Sequence, residues 1–199
     1  MRVIGITGGV GSGKTRILSY LKEHVQCEIL VADEIAASLK EPGEKCYEQL
    51  VRLLGIEILD SDKRINNKKM AALIFGNERL LQAVNDCIHP PVMEYILIRI
   101  NKLRKEEKVK VVFLEAALLI EAGYLPYLDE LWYIYVNKEV RIGRLQRARN
   151  YTREKTESII ARQLPDEVFK KYADIIIDNS GDFEDTKREL DSLCKKYET

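Results

Sequence analysis

Val3-Ile4-Gly5-Ile6-Thr7-Gly8-Gly9-Val10-Gly11-Ser12-Gly13-Lys14-Thr15 is the stretch on which the fold turns. Val3, Ile4 and Ile6 are a β-branched run that reads as a short buried strand. Gly8 to Thr15 then matches G-x-x-x-x-G-K-[ST]. Beyond Lys14, the apolar residues Ile17, Leu18, Leu21 and Val25 recur at helical spacing. Strand, glycine-rich loop and helix are the context in which this motif cradles phosphate. Glycines let the backbone wrap closely, so that Gly9, Gly11, Ser12 and Gly13 can turn N–H groups toward phosphate oxygens. The helix adds the positive end of its dipole. Lys14 is placed to reach the β- and γ-phosphates of ATP, and the Thr15 hydroxyl to ligate Mg²⁺, with Arg16 next in line at the nucleotide.

Outward from this loop, four more apolar runs read as strands: Glu28 to Val31, Lys108 to Leu114, Leu131 to Val136 and Ala173 to Ile177. Helical periodicity fills the intervals. It is broken at His89-Pro90-Pro91, so two helices are expected there, Glu78 to Ile88 and about Val92 to Lys105. The class is α/β: a P-loop NTPase-like five-stranded parallel sheet flanked by helices. One domain spans 1–199, with a core at about 1–39, 106–137 and 165–199. Residues 40–105 lack a strand signal and read as a helical substrate-binding insert, and 138–164 as an Arg-rich lid.

Composition narrows the function. Lys plus Arg number 32, as do Asp plus Glu, so no global charge points to nucleic acid or to a membrane surface. No apolar run reaches the length of a membrane span. Cys27, Cys46, Cys87 and Cys194 are scattered, without the spacing of a metal or redox motif. Four reduced thiols and a cytoplasmic location are expected. The oligomeric state has no signature in the sequence.

Three kinds of P-loop protein compete. A GTPase switch would carry Asn-Lys-x-Asp, and here Asn137-Lys138-Glu139 is followed by Val140, without the base-reading carboxylate. The Asp-x-x-Gly at Asp178 to Gly181 lies too late in the chain for a switch. An ATP motor would usually be larger, with Asp rather than Glu115 ending the strand after Val111. A small-molecule kinase fits better, because Arg141, Arg144, Arg147, Arg149 and Arg153 are dense where a phosphate-neutralising lid would lie. Arg141, Arg144 and Arg147 recur every three residues and share a helix face, which also suits a solvated face. Asp33, just past the second strand, can align an acceptor hydroxyl and take its proton, or simply cap the helix that follows.

Taken together these residues resemble the dephospho-coenzyme A kinases over nearly the whole chain. Ile4-Gly5-Ile6-Thr7-Gly8-Gly9-Val10-Gly11-Ser12-Gly13-Lys14 is similar to that family's opening signature. Ala32-Asp33 followed by Ile35-Ala36 resembles its Asp-Ala-Asp segment, Ile88-His89-Pro90 its His-Pro element, and Ala117-Leu118-Leu119-Ile120-Glu121 its Pro-Leu-Leu-Phe-Glu element. Gln163 lies where the family's lid region carries Gln, and Asp178-Asn179-Ser180-Gly181 resembles its final strand end. The resemblance implies transfer of the γ-phosphate of ATP to the ribose 3′-hydroxyl of dephospho-coenzyme A, the last step of coenzyme A synthesis. It implies Asp33 as the base, His89, Glu115, Leu118 and Glu121 toward the acceptor or metal, and Lys14 with Arg144 or Arg147 on the moving phosphoryl. The chain departs from the pattern at Val31, Asn67 and Ala117, and its lid arginines at Arg147 and Arg149 are offset by about one position.

Overall fold

A computed structural model describes residues 1–197, so the last two residues of the expected 165–199 core segment lie outside the described residues. In chain order the elements are β1 (Arg2–Thr7), α1 (Lys14–His24), β2 (Cys27–Val31), α2 (Ala32–Ser38), α3 (Tyr47–Leu54), α4 (Asn67–Ile74), α5 (Glu78–Glu106), β3 (Val111–Glu115), β4 (Glu130–Tyr135), α6 (Lys138–Arg149), α7 (Arg153–Ala161), α8 (Asp166–Tyr172), β5 (Ile175–Asp178) and α9 (Phe183–Cys194). The strands form one sheet in the order β2-β3-β1-β4-β5. β1 is parallel to β3 and to β4, and β4 to β5. Burial on both faces explains the apolar runs: β1 is buried from Val3 to Thr7, and β3 along its whole length.

The chain divides into two compact units, Met1–Leu30 with the chain from Leu103 onward, and Val31–Lys102. In the first, the register pairs Ile6 with Glu115 and Thr7 with Tyr133, so the ends of β1, β3 and β4 lie side by side. The chain visits β2 and β3 on one flank of β1 and β4 and β5 on the other. That reversal makes the end of β1 a topological switch point, where such sheets bind ligands. α1 buries Ile17, Leu18 and Leu21.

The second unit is helical. Its buried apolar residues include Leu39, Cys46, Leu50, Leu54, Ile58, Met70, Val84, Val92, Ile96 and Ile100. Asn66 opens α4 by accepting from the N–H groups of Lys68 and Lys69. The expected break at His89-Pro90-Pro91 does not occur: α5 runs unbroken with both prolines inside it. Pro91 has no N–H to offer the Cys87 carbonyl four residues back. The Cys46 thiol donates to that carbonyl instead, at 3.5 Å.

Candidate functional site

The loop between β1 and α1 is built to receive an anion. α1 has no side-chain cap and no acidic residue in its first turn. Its N-cap, Gly13, has φ +89°, a left-handed conformation that L side chains rarely adopt. A Cβ there would also run into Asn179 Nδ2. Asn179 is buried and ties the loop down: Nδ2 donates to the Ser12 carbonyl at 2.8 Å, and Oδ1 accepts from Thr186 at 3.0 Å. Two buried hydroxyls, Thr7 Oγ1 and Ser12 Oγ, lack a hydrogen-bond partner in the structure. Such groups are costly, and a bound ligand at the loop is one way of satisfying them.

Lys14 folds back across this loop. Its Nζ donates to the Gly8 carbonyl at 2.7 Å and pairs with Glu115 Oε1 at 3.5 Å. Both side chains are mostly buried, so their charges are weakly screened. The register that puts Glu115 beside Ile6 brings this carboxylate to the loop.

Arginines collect on the same unit. Arg144 Nη2 donates to the Asn179 carbonyl at 2.8 Å. Burial lowers its pKa, and the charges of Arg147 and Arg16 lower it further. Arg144 thus feels two other guanidinium charges near the loop, a repulsion that a bound anion would relieve. Arg16 lies over the Phe183 ring at 3.8 Å, and Arg147 is exposed, donating to the Gly143 carbonyl at 3.2 Å. Arg141 differs from both. It is buried, and its Nε donates to the Val10 carbonyl at 3.1 Å. Burial lowers its pKa too, against the opposing pull of Asp166 and Tyr133.

The remaining expected residues are dispersed. Thr15 is exposed in the first turn of α1. Leu118 is 47% exposed, and Glu121 is exposed beyond β3. In the second unit, Asp33 is exposed in the first turn of α2 and is not its cap, since the N-cap is Val31. The Asp33 charge acts on Lys40, whose Nζ donates to Asn67 Oδ1 at 2.8 Å. His89 is exposed on α5. Asn137, of the near-match to a guanine motif, caps α6 by accepting from Glu139 N–H. Arg141, Asn179 and Gln163 reach the loop without any local motif that assigns them a place in the site. Their loop partners lie 131 to 167 residues away, and the only sequence signals at these positions are the dense lid arginines and the family resemblance.

Among the described residues no cluster of three or more His, Cys, Asp or Glu side chains could hold a metal. The donors at the loop, the Thr15 hydroxyl and the Glu115 carboxylate, are hard oxygens. They suit Mg²⁺ arriving with a nucleotide, because Mg²⁺ uses few protein ligands and fills its shell with phosphates and water.

A family model described as dephospho-CoA kinase (CoaE) matches residues 2–185. The chain belongs to the dephospho-CoA kinase family. Members from Carboxydothermus hydrogenoformans and Streptococcus mutans are 33% and 34% identical over 195 and 197 residues, covering 98% and 99% of this chain and 94% and 98% of theirs. Both are named dephospho-CoA kinase. A crystal structure from Thermus thermophilus superposes with TM-score 0.82 at 28% identity, covering 98% of this chain and 97% of that one. A dephospho-CoA kinase from Campylobacter jejuni gives 0.74 at 22%, covering 98% and 96%. The fold also reaches a shikimate kinase from Acinetobacter baumannii, at TM-score 0.54, 14% identity and 98% and 94% coverage. Family membership makes the chain an ATP-dependent kinase of the P-loop class, as the loop geometry leads one to expect. Among the described residues no helix is long and apolar enough to cross a membrane.

Proposed function

We propose that this protein transfers the γ-phosphate of ATP to the ribose 3′-hydroxyl of dephospho-coenzyme A, completing coenzyme A, and that it does so in the cytoplasm. The observation that carries the reading is the uncapped loop with Lys14 laid across it, in a chain that matches the family over residues 2–185. Lys14 would exchange the Gly8 carbonyl for the β- and γ-phosphates. Arg144 and Arg147 would neutralise charge on the phosphoryl in flight. Gly9, Gly11, Ser12 and Gly13 would present the loop's N–H groups, and Arg16 would flank the nucleotide. Thr15 would hold Mg²⁺ together with the phosphates; when bound, the ion neutralises charge on the β- and γ-oxygens.

On the acceptor side, Asp33 would orient the 3′-hydroxyl and accept its proton. Its exposure in the first turn of α2 leaves the carboxylate open to a ligand. His89, Glu115, Leu118 and Glu121 would contribute to acceptor binding, and the helical segment 40–105 and the segment 138–164 would act as substrate insert and lid. The test is ADP release from Mg·ATP with dephospho-coenzyme A, beside a panel of nucleosides and nucleotides. Turnover confined to dephospho-coenzyme A supports the reading. Turnover with another acceptor alone removes the substrate but leaves the kinase, and nucleotide binding without acceptor-dependent turnover marks a regulator.

A further inference from the structure

Val10 stands in the middle of the P-loop, and both of its backbone polar groups are taken by side chains from far along the chain. Its N–H donates to Gln163 Oε1 at 3.1 Å. Its carbonyl accepts from Arg141 Nε at 3.1 Å. The two side chains are themselves joined, with Arg141 Nη2 donating to the same Gln163 Oε1 at 2.5 Å. Three hydrogen bonds therefore close a ring around one loop residue. Arg141 is 6% exposed, and its guanidinium lies so close to Gly9 that a Cβ on that glycine would fall inside it. A side chain at position 9 would therefore displace the Arg141 guanidinium from this ring.

The placement of the two side chains gives the ring a consequence. Arg141 is in the first half of α6, and Gln163 follows the end of α7. They bracket residues 142–162, the stretch that carries Arg144 and Arg147. Arg141 shares a helical face with those two by spacing, yet its guanidinium donates to Val10 and Gln163. A glycine-rich loop loses much conformational freedom when it wraps a ligand. Pinning both polar groups of Val10 beforehand reduces what remains to be lost on binding.

We infer that Arg141 and Gln163 are positioning residues: their shared ring on Val10 holds the P-loop in the shape that receives a nucleotide's polyphosphate, and anchors both ends of the α6–α7 segment to that loop. This rests on the loop being the nucleotide site. The test uses the full-length enzyme and reads the dissociation constant for ADP by calorimetry, KM for ATP and for dephospho-coenzyme A, kcat and the thermal midpoint. Gln163→Leu removes the acceptor at similar volume. It should weaken ADP by about tenfold or more, as for loss of buried hydrogen bonds, and raise KM for ATP while KM for dephospho-coenzyme A holds.

Gln163→Glu still accepts from Val10 N–H and from Arg141, and should restore ADP affinity to within a small factor. Arg141→Met should weaken ADP as Gln163→Leu does. The double variant should be little worse than either, because the ring is already open. Unchanged ADP affinity in Gln163→Leu overturns the inference, as does a Gln163→Glu variant as impaired as the Leu one. A fall in thermal midpoint with ADP affinity intact assigns the ring to stability alone and also overturns it. Lys14→Ala separates the two levels. If it loses ADP affinity while Gln163→Leu does not, the ring fails and the P-loop reading stands. If Lys14→Ala keeps full affinity and turnover, both fall.

Discussion

Asp33 is the residue on which the proposed chemistry turns. Asp33→Asn keeps size and polarity but cannot take a proton at neutral pH. It should lower kcat by about 10²–10⁴-fold, the usual worth of a general base, while KM for ATP stays put. Steady-state kinetics with both substrates varied checks this, and an unchanged kcat removes Asp33 from the mechanism. How much of the site could be read in advance depended on sequence distance. Gly8 to Thr15 is contiguous, so its spacing alone displays the loop and Lys14. Glu115 owes its place to the β1–β3 register, which no local pattern encodes. Asn179 is more distant still, holding the Ser12 carbonyl across 167 residues. Helical spacing grouped Arg141, Arg144 and Arg147, but it carries no information about the acceptor each will find. The structure gives them three different ones: Val10 and Gln163, Asn179, and Gly143.

At the level of elements, β1, β3 and β4 were legible because they are buried almost throughout and so appear as apolar runs, whereas β2 and β5 are buried only in part and were legible from their apolar β-branched residues. The run Leu131 to Val136 and the observed β4 (Glu130–Tyr135) differ by one residue at each end. The helix α5 was not legible in full. Two consecutive prolines are a strong local signal for a break, and the compensation for one of them is a thiol 41 residues away in sequence. Element ends also offer a clean measurement. Asn66 caps α4 with two accepted N–H bonds, and its amide donates to both Asp60 oxygens at 2.9 Å. Asn66→Ala should destabilise the protein by about 1 kcal/mol or somewhat more. Urea unfolding reads the change; an unaltered midpoint means that the cap contributes nothing net.

Across the whole molecule, several acidic groups favour their neutral forms in the fold. Cys27 is raised to about 11, first by burial and then by Glu28. Tyr20 is raised to about 12, chiefly by the hydrogen bond that it donates to Asp191, and Tyr197 to about 12, chiefly by burial. Their ordinary values are 9.0 for cysteine and 10.0 for tyrosine. A group whose pKa is raised in the fold stabilises it fully below the unfolded value, and that stability is lost as pH climbs through the folded value. The urea midpoint should therefore hold from neutral pH to about 9 and fall progressively toward 12. Tyr20→Phe, which cannot ionise, should flatten part of that fall. A flat midpoint from pH 9 to 12 in the parent protein would contradict these assignments.

The sequence balances 32 basic against 32 acidic residues, yet the structure sets both Arg16 and Arg147 within electrostatic reach of Arg144 near the P-loop. An average of zero conceals a local field. A tetra-anionic nucleotide diffusing in meets that field before it meets the loop, so its rate of capture should fall as ionic strength rises. Adenosine, which carries no charge, should arrive equally fast in dilute and concentrated salt. Stopped-flow binding of the two at several salt concentrations would show the contrast. A protein that elutes as though neutral would then behave, toward its nucleotide, as a cation.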